Sequence, residues 1–247
     1  MDLRVLGDGP SEPFLSARDL FETEYDLEKD VRVRLRDDPD ERTWTTHGDE
    51  YHLLNMATTT ATSAMARELA LHEFSHMQRN EQAHPSHTQS TTEAVYLALA
   101  GRSVDRQTLT HCYQIANHMK DIYADDITLA ISPANKLITF LESALASAVR
   151  NRARSVPSMW TRWSTAADPN ITAVNAAFAL ALCERHSLVG ADHLLYDLAH
   201  AAANDAPNID ITAFKDAFRS LSIDPEKSEY KQTLMDITRR YAECTST

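Results

Sequence analysis

Near Thr60 the pattern of apolar residues changes period, and this change constrains the fold more than any other feature of the chain. Before it stand short pieces with strand character: residues 3–6, the alternating Val31-Arg32-Val33-Arg34-Leu35, residues 43–46 and residues 51–56. Turn signals separate them at Gly7-Asp8-Gly9-Pro10, Asp37-Asp38-Pro39-Asp40 and His47-Gly48-Asp49. After it the chain is rich in Ala, Leu and Met in long runs with few glycines, which is the composition of helix. The pattern predicts an α+β, predominantly helical protein with a small N-terminal antiparallel sheet over residues 1–57. A helical region over 58–154 follows, and then a helical C-terminal region over 155–247 that is a subdomain or the other wall of one domain.

Helices are predicted over 61–80, from a capping box at Ser90-Thr91-Thr92-Glu93 to Gly101, and from a Ser103 cap to about 131. Five more are predicted over 136–152, 172–185, 191–204, 212–221 and 225–244. Residues 155–170, with Pro157, Trp160, Trp163 and Pro169, read as a linker or surface loop.

The first of these helices carries Leu71-His72-Glu73-Phe74-Ser75-His76-Met77. Two imidazoles four residues apart lie one turn above each other, where they can share a metal ion, and a carboxylate beside them can act on water held by that ion. Steps of 100 degrees place Met65, Leu69, His72 and His76 in one stripe, which predicts that both histidines follow the buried face. Two core histidines satisfied by hydrogen bonds are the other way to explain such a pair.

A third ligand must come from another element. The helix after Ser103 has an apolar stripe of Leu109, Cys112, Tyr113, Ala116, Met119, Tyr123 and Ile127, and an opposite side with His111, Gln114, His118, Asp121 and Asp125. Asp121 and Asp125 are four apart, so one can bind metal while the other orients a ligand imidazole. His118 competes with Asp121 for the ligand role, from the same face one turn earlier.

Together, His72-Glu73-x-x-His76 and the later Asp121-Ile122-Tyr123-Ala124-Asp125 resemble a zincin metallopeptidase of the gluzincin type. The second motif is similar to the Glu-x-x-Ala-Asp form of membrane-bound zincins such as the CAAX prenyl proteases and the bacterial heat-shock membrane proteases. Here Asp121 stands where that motif has Glu, one methylene shorter, so the two helices must approach more closely. The resemblance covers about residues 58–131 and implies a zincin-like core with Zn2+ held by His72, His76 and Asp121. It further implies that Glu73 is the base on a metal-activated water and that Asp125 hydrogen-bonds a ligand histidine. The implied activity is hydrolysis of a peptide or protein substrate; the alternative is a binding or regulatory protein on the same scaffold, with a structural metal or none. A hydrolase of non-peptide amides is a third class. Tyr123, His111 and His118 are the candidates to stabilise the oxyanion. Residues 51–56 stand where a zincin places the edge strand that pairs with substrate.

The other histidines carry less. His84 and His87 flank Pro85-Ser86 in a turn and are predicted to cap the next helix rather than line the cleft. His193 and His200, seven apart on a later helix, are left outside the site.

Charge bounds the partners. A net charge of -12 argues against a phosphate-backbone binder, so no nucleic acid is expected. The 18 Arg against 6 Lys, with 21 Asp among 36 acidic residues, resemble proteins of salt-loving archaea, whose acidic shell stays hydrated in salt. Three cysteines without C-x-x-C spacing fit neither a disulfide framework nor a thiolate zinc knuckle and suit a reducing cytoplasm. The N-terminal residues lack a secretory pattern and no apolar run is long and uninterrupted enough to span a bilayer, so a cytoplasmic protein without membrane partner is expected.

Overall fold

The computed structural model describes residues 1–38, 43–151 and 167–245. The chain forms two compact units, one of residues 1–89 and 120–136, the other of residues 90–119 and 137–247. Most of the 155–170 linker and the end of the 37–40 turn lie outside the described residues.

In the first unit, β1 (Leu3–Leu6), α1 (Glu12–Phe21), β2 (Asp30–Arg36), β3 (Trp44–His47) and β4 (Tyr51–Ala57) precede the short α2 (Thr58–Ala61). The sheet order is β1-β2-β4-β3. β1 and β4 run parallel to β2, and only β3 is antiparallel, to β4. The sheet is therefore mixed rather than antiparallel. The reason is α1, which the strand pattern of residues 1–57 hides: a helix between β1 and β2 returns the chain to the starting edge and permits parallel pairing. Its signals are a proline in the first turn and Phe14, Ala17 and Phe21 on one buried face.

In β2 the burial alternates, with Val31, Val33 and Leu35 buried and Asp30, Arg34 and Arg36 exposed. Arg32 keeps to the other face, its guanidinium 3.6 Å from the centre of the Tyr51 ring. Register places Val31 opposite His52, Val33 opposite Leu54, and on the far side Thr45 opposite Leu54 and His47 opposite His52. Paired residues point to the same face, so Thr45 and His47 share the apolar face of the sheet. That face packs into one core with Phe14 and Phe21 of α1, with Leu71, Phe74 and Met77 of α3 (Ala66–Glu81), and with Ile127. Residues 51–56 form an inner strand with partners on both sides, and the edges belong to β1 and, beside β4, to β3.

After α3, Ala83 takes a positive φ of 52°, which reverses the chain into α4 (Pro85–Thr88). α5 (Thr91–Ala98) follows with Ser90 accepting from the Glu93 amide, and Gly101 at φ 77° lies beyond its end. α6 (Arg106–Ile131) starts later than Ser103: Asp105 accepts from the Thr108 amide and serves as its cap. α6 passes from the second unit into the first between Met119 and Lys120.

The second unit is helical throughout its described residues, completed by α7 (Asn135–Arg150), α8 (Pro169–Arg185), α9 (Leu194–Asp205), α10 (Ile211–Arg219) and α11 (Lys227–Thr245). α8 is buried along twelve residues from Ile171 to Cys183, flanked by α9 and α10, while α11 packs on α5. No helix among the described residues is long and apolar enough to cross a membrane.

Two buried thiols of this unit make a testable alkaline signature. Burial pushes Cys112 up to about 12 and Cys183 up to about 11, from 9.0 for an ordinary thiol. Their protonated forms therefore support the fold fully below about pH 9, and that support is lost as pH rises through the raised values. Each thiol is expected to steepen the loss of unfolding free energy by up to about 1.4 kcal/mol per pH unit. Urea unfolding of wild type and Cys112→Ala between pH 8 and 11 checks this, and equal slopes would refute it.

Candidate metal centre

α3 presents its deepest residues, Ala70, Leu71, Phe74 and Met77, to the core. His72 and His76 stand at the margin of that face, with side chains 23% and 16% exposed, and not on its fully buried line. The margin faces the second half of α6. There the polar side of α6 is partly interior: Asp125 is buried, as are Ile122, Tyr123 and Ala124 around it. Ser75 and Thr128 join the two helices by a buried hydroxyl pair at 2.9 Å, and the Arg79 guanidinium donates to the Tyr123 carbonyl at 2.9 Å.

This packing gathers three side chains that could hold a metal ion, His72, His76 and Asp121, whose candidate ligand atoms lie within 4.8 Å of one another. The two Nε2 atoms are 3.0 Å apart. Asp121 Oδ1 lies 3.4 Å from His76 Nε2 and 3.8 Å from His72 Nε2. Ligands at about 2.0–2.1 Å around one tetrahedral zinc stand roughly 3.3 Å from each other, so the triangle has the size that zinc requires. Two imidazole nitrogens and a carboxylate oxygen also form a donor set that zinc accepts.

Behind the triangle, Asp125 Oδ1 is 2.7 Å from His72 Nδ1. Burial opposes a charge on His72, yet the carboxylates of Asp125 and Asp121 outweigh it and hold this imidazole well above its ordinary value. Glu73, next to the first histidine, is tied by one oxygen: the Thr45 hydroxyl donates to its Oε2 at 2.7 Å. Lys120 precedes Asp121; burial pushes its ammonium down, against the raising effect of that carboxylate.

Other residues enter the neighbourhood without a signal at ligand spacing. His47 Nδ1 is 2.9 Å from His52 Nδ1, and His52 Nε2 is 3.0 Å from Glu81 Oε1. Glu81 also accepts the amides of Glu28 and Lys29, at 2.8 and 2.9 Å, which fastens the start of β2 to the end of α3. Desolvation of its ring, followed by the charges of His52, His76, Lys29 and Lys120, pushes His47 down to about 4. His87 reaches His76: its Nε2 is 2.7 Å from His76 Nδ1. This corrects its assignment as a mere cap, while His84 does cap α4 through the Ser86 amide. Burial, then the charge of His76, pushes His87 down to about 2.

The remaining candidates lie elsewhere. His118 belongs to the second unit, its Nε2 2.8 Å from Asn175 Oδ1 and its ring stacked on Phe178 at 4.3 Å. It is not a member of the three-residue group. His111 of the same unit pairs with the Tyr241 hydroxyl at 2.7 Å. Tyr123 is fully buried with its ring 4.5 Å from that of His84. His193 caps α9, and His200 bonds its own helix at the Tyr196 carbonyl.

No curated protein and no solved structure matches the chain. A protein-family model does match, across residues 1–243, and by that match the chain belongs to a family of unknown function, DUF5781.

Proposed function

We propose that this protein is a zinc-dependent metallopeptidase whose first unit is a zincin-like core, with His72, His76 and Asp121 holding the ion and Glu73 as general base. The observation that carries the proposal is the ligand triangle of 3.0, 3.4 and 3.8 Å, set beside a carboxylate that another element orients. A zinc ion held there would supply Lewis acidity toward a substrate carbonyl and a water in the site. Glu73 takes the proton of that water at the oxygen Thr45 leaves free and passes it to the departing amine. Asp125 holds His72 through Nδ1, so that Nε2 faces the triangle. β3 lies at the sheet edge beside this base and offers its outer side to an extended peptide.

A binding protein with a structural zinc is the competing view. Structural zinc is closed by four protein ligands, whereas the group among the described residues has three, which favours a position open to water.

The test is metal analysis of protein purified without chelator. About one zinc per chain is expected, with loss of the metal in His76→Ala and retention in Glu73→Gln. Wild type that neither binds zinc nor, when supplied with it, cleaves peptides in a mixed library would overturn the proposal.

A further inference from the structure

His76 differs from His72 in what stands behind it. His72 has a carboxylate at its outer nitrogen; His76 has another imidazole. The geometry points to His87 as a positioning residue for His76, itself held in one tautomer by Ser86 and His84, an inference that rests on the zinc proposal and deepens it.

The direction of the chain is fixed from its far end. The backbone amide of Ser86 can only donate, and it points to His84 Nδ1 at 3.2 Å, so that nitrogen is an acceptor. Ser86 Oγ lies 2.7 Å from the same nitrogen and must therefore give it the hydroxyl proton. Having spent its proton, Oγ accepts from His87 Nδ1, 2.7 Å away. A neutral His87 with its proton on Nδ1 has a bare Nε2, and this accepts from His76 Nδ1 at 2.7 Å. His76 is left with a lone pair on Nε2, the nitrogen that belongs to the metal triangle.

Four groups in series thus convert one backbone N–H into a ligand imidazole of the right tautomer. Burial protects the series: His84 and Ser86 are 6% and 0% exposed, so water does not compete for their bonds. Ala83 makes it possible, since its reversal after α3 brings α4 back alongside His76. An imidazole in place of a second carboxylate also orients the ligand without adding a negative charge beside Asp121 and Asp125.

The experiment compares zinc affinity, by chelator competition, in wild type, His87→Leu, His87→Gln and Ser86→Ala. Leu fills similar space but accepts no hydrogen bond; Gln retains an acceptor. Zinc affinity is expected to fall about 10–100-fold in His87→Leu and in Ser86→Ala by roughly tenfold, the range for lost supports of metal ligands. His87→Gln is expected to recover most of the loss, and the visible spectrum of the cobalt-substituted protein should change in the Leu variant alone. Zinc binding by His87→Leu equal to wild type overturns the inference, as does equal weakening by Leu and Gln, which would reduce His87 to packing. If His87→Leu does not fold, Ser86→Ala decides, and undiminished affinity there overturns the tautomer chain. Wild type without zinc affinity overturns the zinc proposal itself, and this inference with it.

Discussion

Glu73→Gln is expected to lower kcat for peptide hydrolysis by about 10²–10⁴-fold while zinc content stays at the wild-type level. In free energy of activation that is about 3 to 5 kcal/mol. The size follows from the role: Gln keeps the shape and can keep the Thr45 bond through its carbonyl oxygen, but it cannot take a proton from water. Retained zinc separates this outcome from general damage to α3, because the ligands on either side, His72 and His76, are untouched. The same pair of proteins distinguishes substrate classes. Cleavage of small amides but not of peptides, lost in the variant, would move the protein to non-peptide amide hydrolysis. Equal rates for wild type and variant would exclude Glu73 as the base.

The second large effect is expected for Asp125→Ala, which should cost about 3 kcal/mol of stability without metal, the scale of a broken buried ion pair. Asp125 is 5% exposed and its partner His72 is only about a fifth exposed, so water replaces little of what is lost. Zinc affinity should fall as well, by about 10–100-fold, because Nδ1 of His72 loses the acceptor that fixes its tautomer. Urea unfolding of the metal-free protein gives the first quantity and chelator competition the second. A variant with the stability and zinc affinity of wild type would show that the 2.7 Å contact between His72 and Asp125 contributes neither.

How much of this was legible in the sequence depended on the range of the interaction. The spacing of His72 and His76, and of Asp121 and Asp125, is set by the pitch of a helix, so four-residue steps reveal it directly. Which helices meet is a longer step, which periodicity alone does not reveal. The sheet was legible as strands but not as a pairing, since alternation tells which residues share a face and nothing about the direction of the neighbour. α1 went unrecognised because its apolar residues Phe14, Ala17 and Phe21 are few and lie between two strand-like pieces. Thr45 could not be found at all: its partner Glu73 is 28 residues away, and a threonine in a strand has no feature that marks it as a support. His87 was within reach, eleven residues after His76 and just beyond a helix end, but its role depends on the reversal at Ala83, where a non-glycine residue gives little warning.

The first unit is interrupted in sequence, and this has a consequence for the order of synthesis. Residues 1–89 carry the sheet, α3, both histidines of the proposed site and Glu73, but Asp121 and Asp125 follow only after the intervening residues 90–119. At about 5–20 residues per second, the nascent chain carries an unfinished ligand set for a few seconds before the carboxylates emerge. Until then α3 lacks the half of α6 that carries the carboxylates, and on the zinc proposal the two histidines alone would make only a half-site. On the zinc proposal the ion would be a late arrival, and a ribosome-bound chain stalled at residue 110 should hold zinc far more weakly than one stalled beyond 136 plus the length of the exit tunnel.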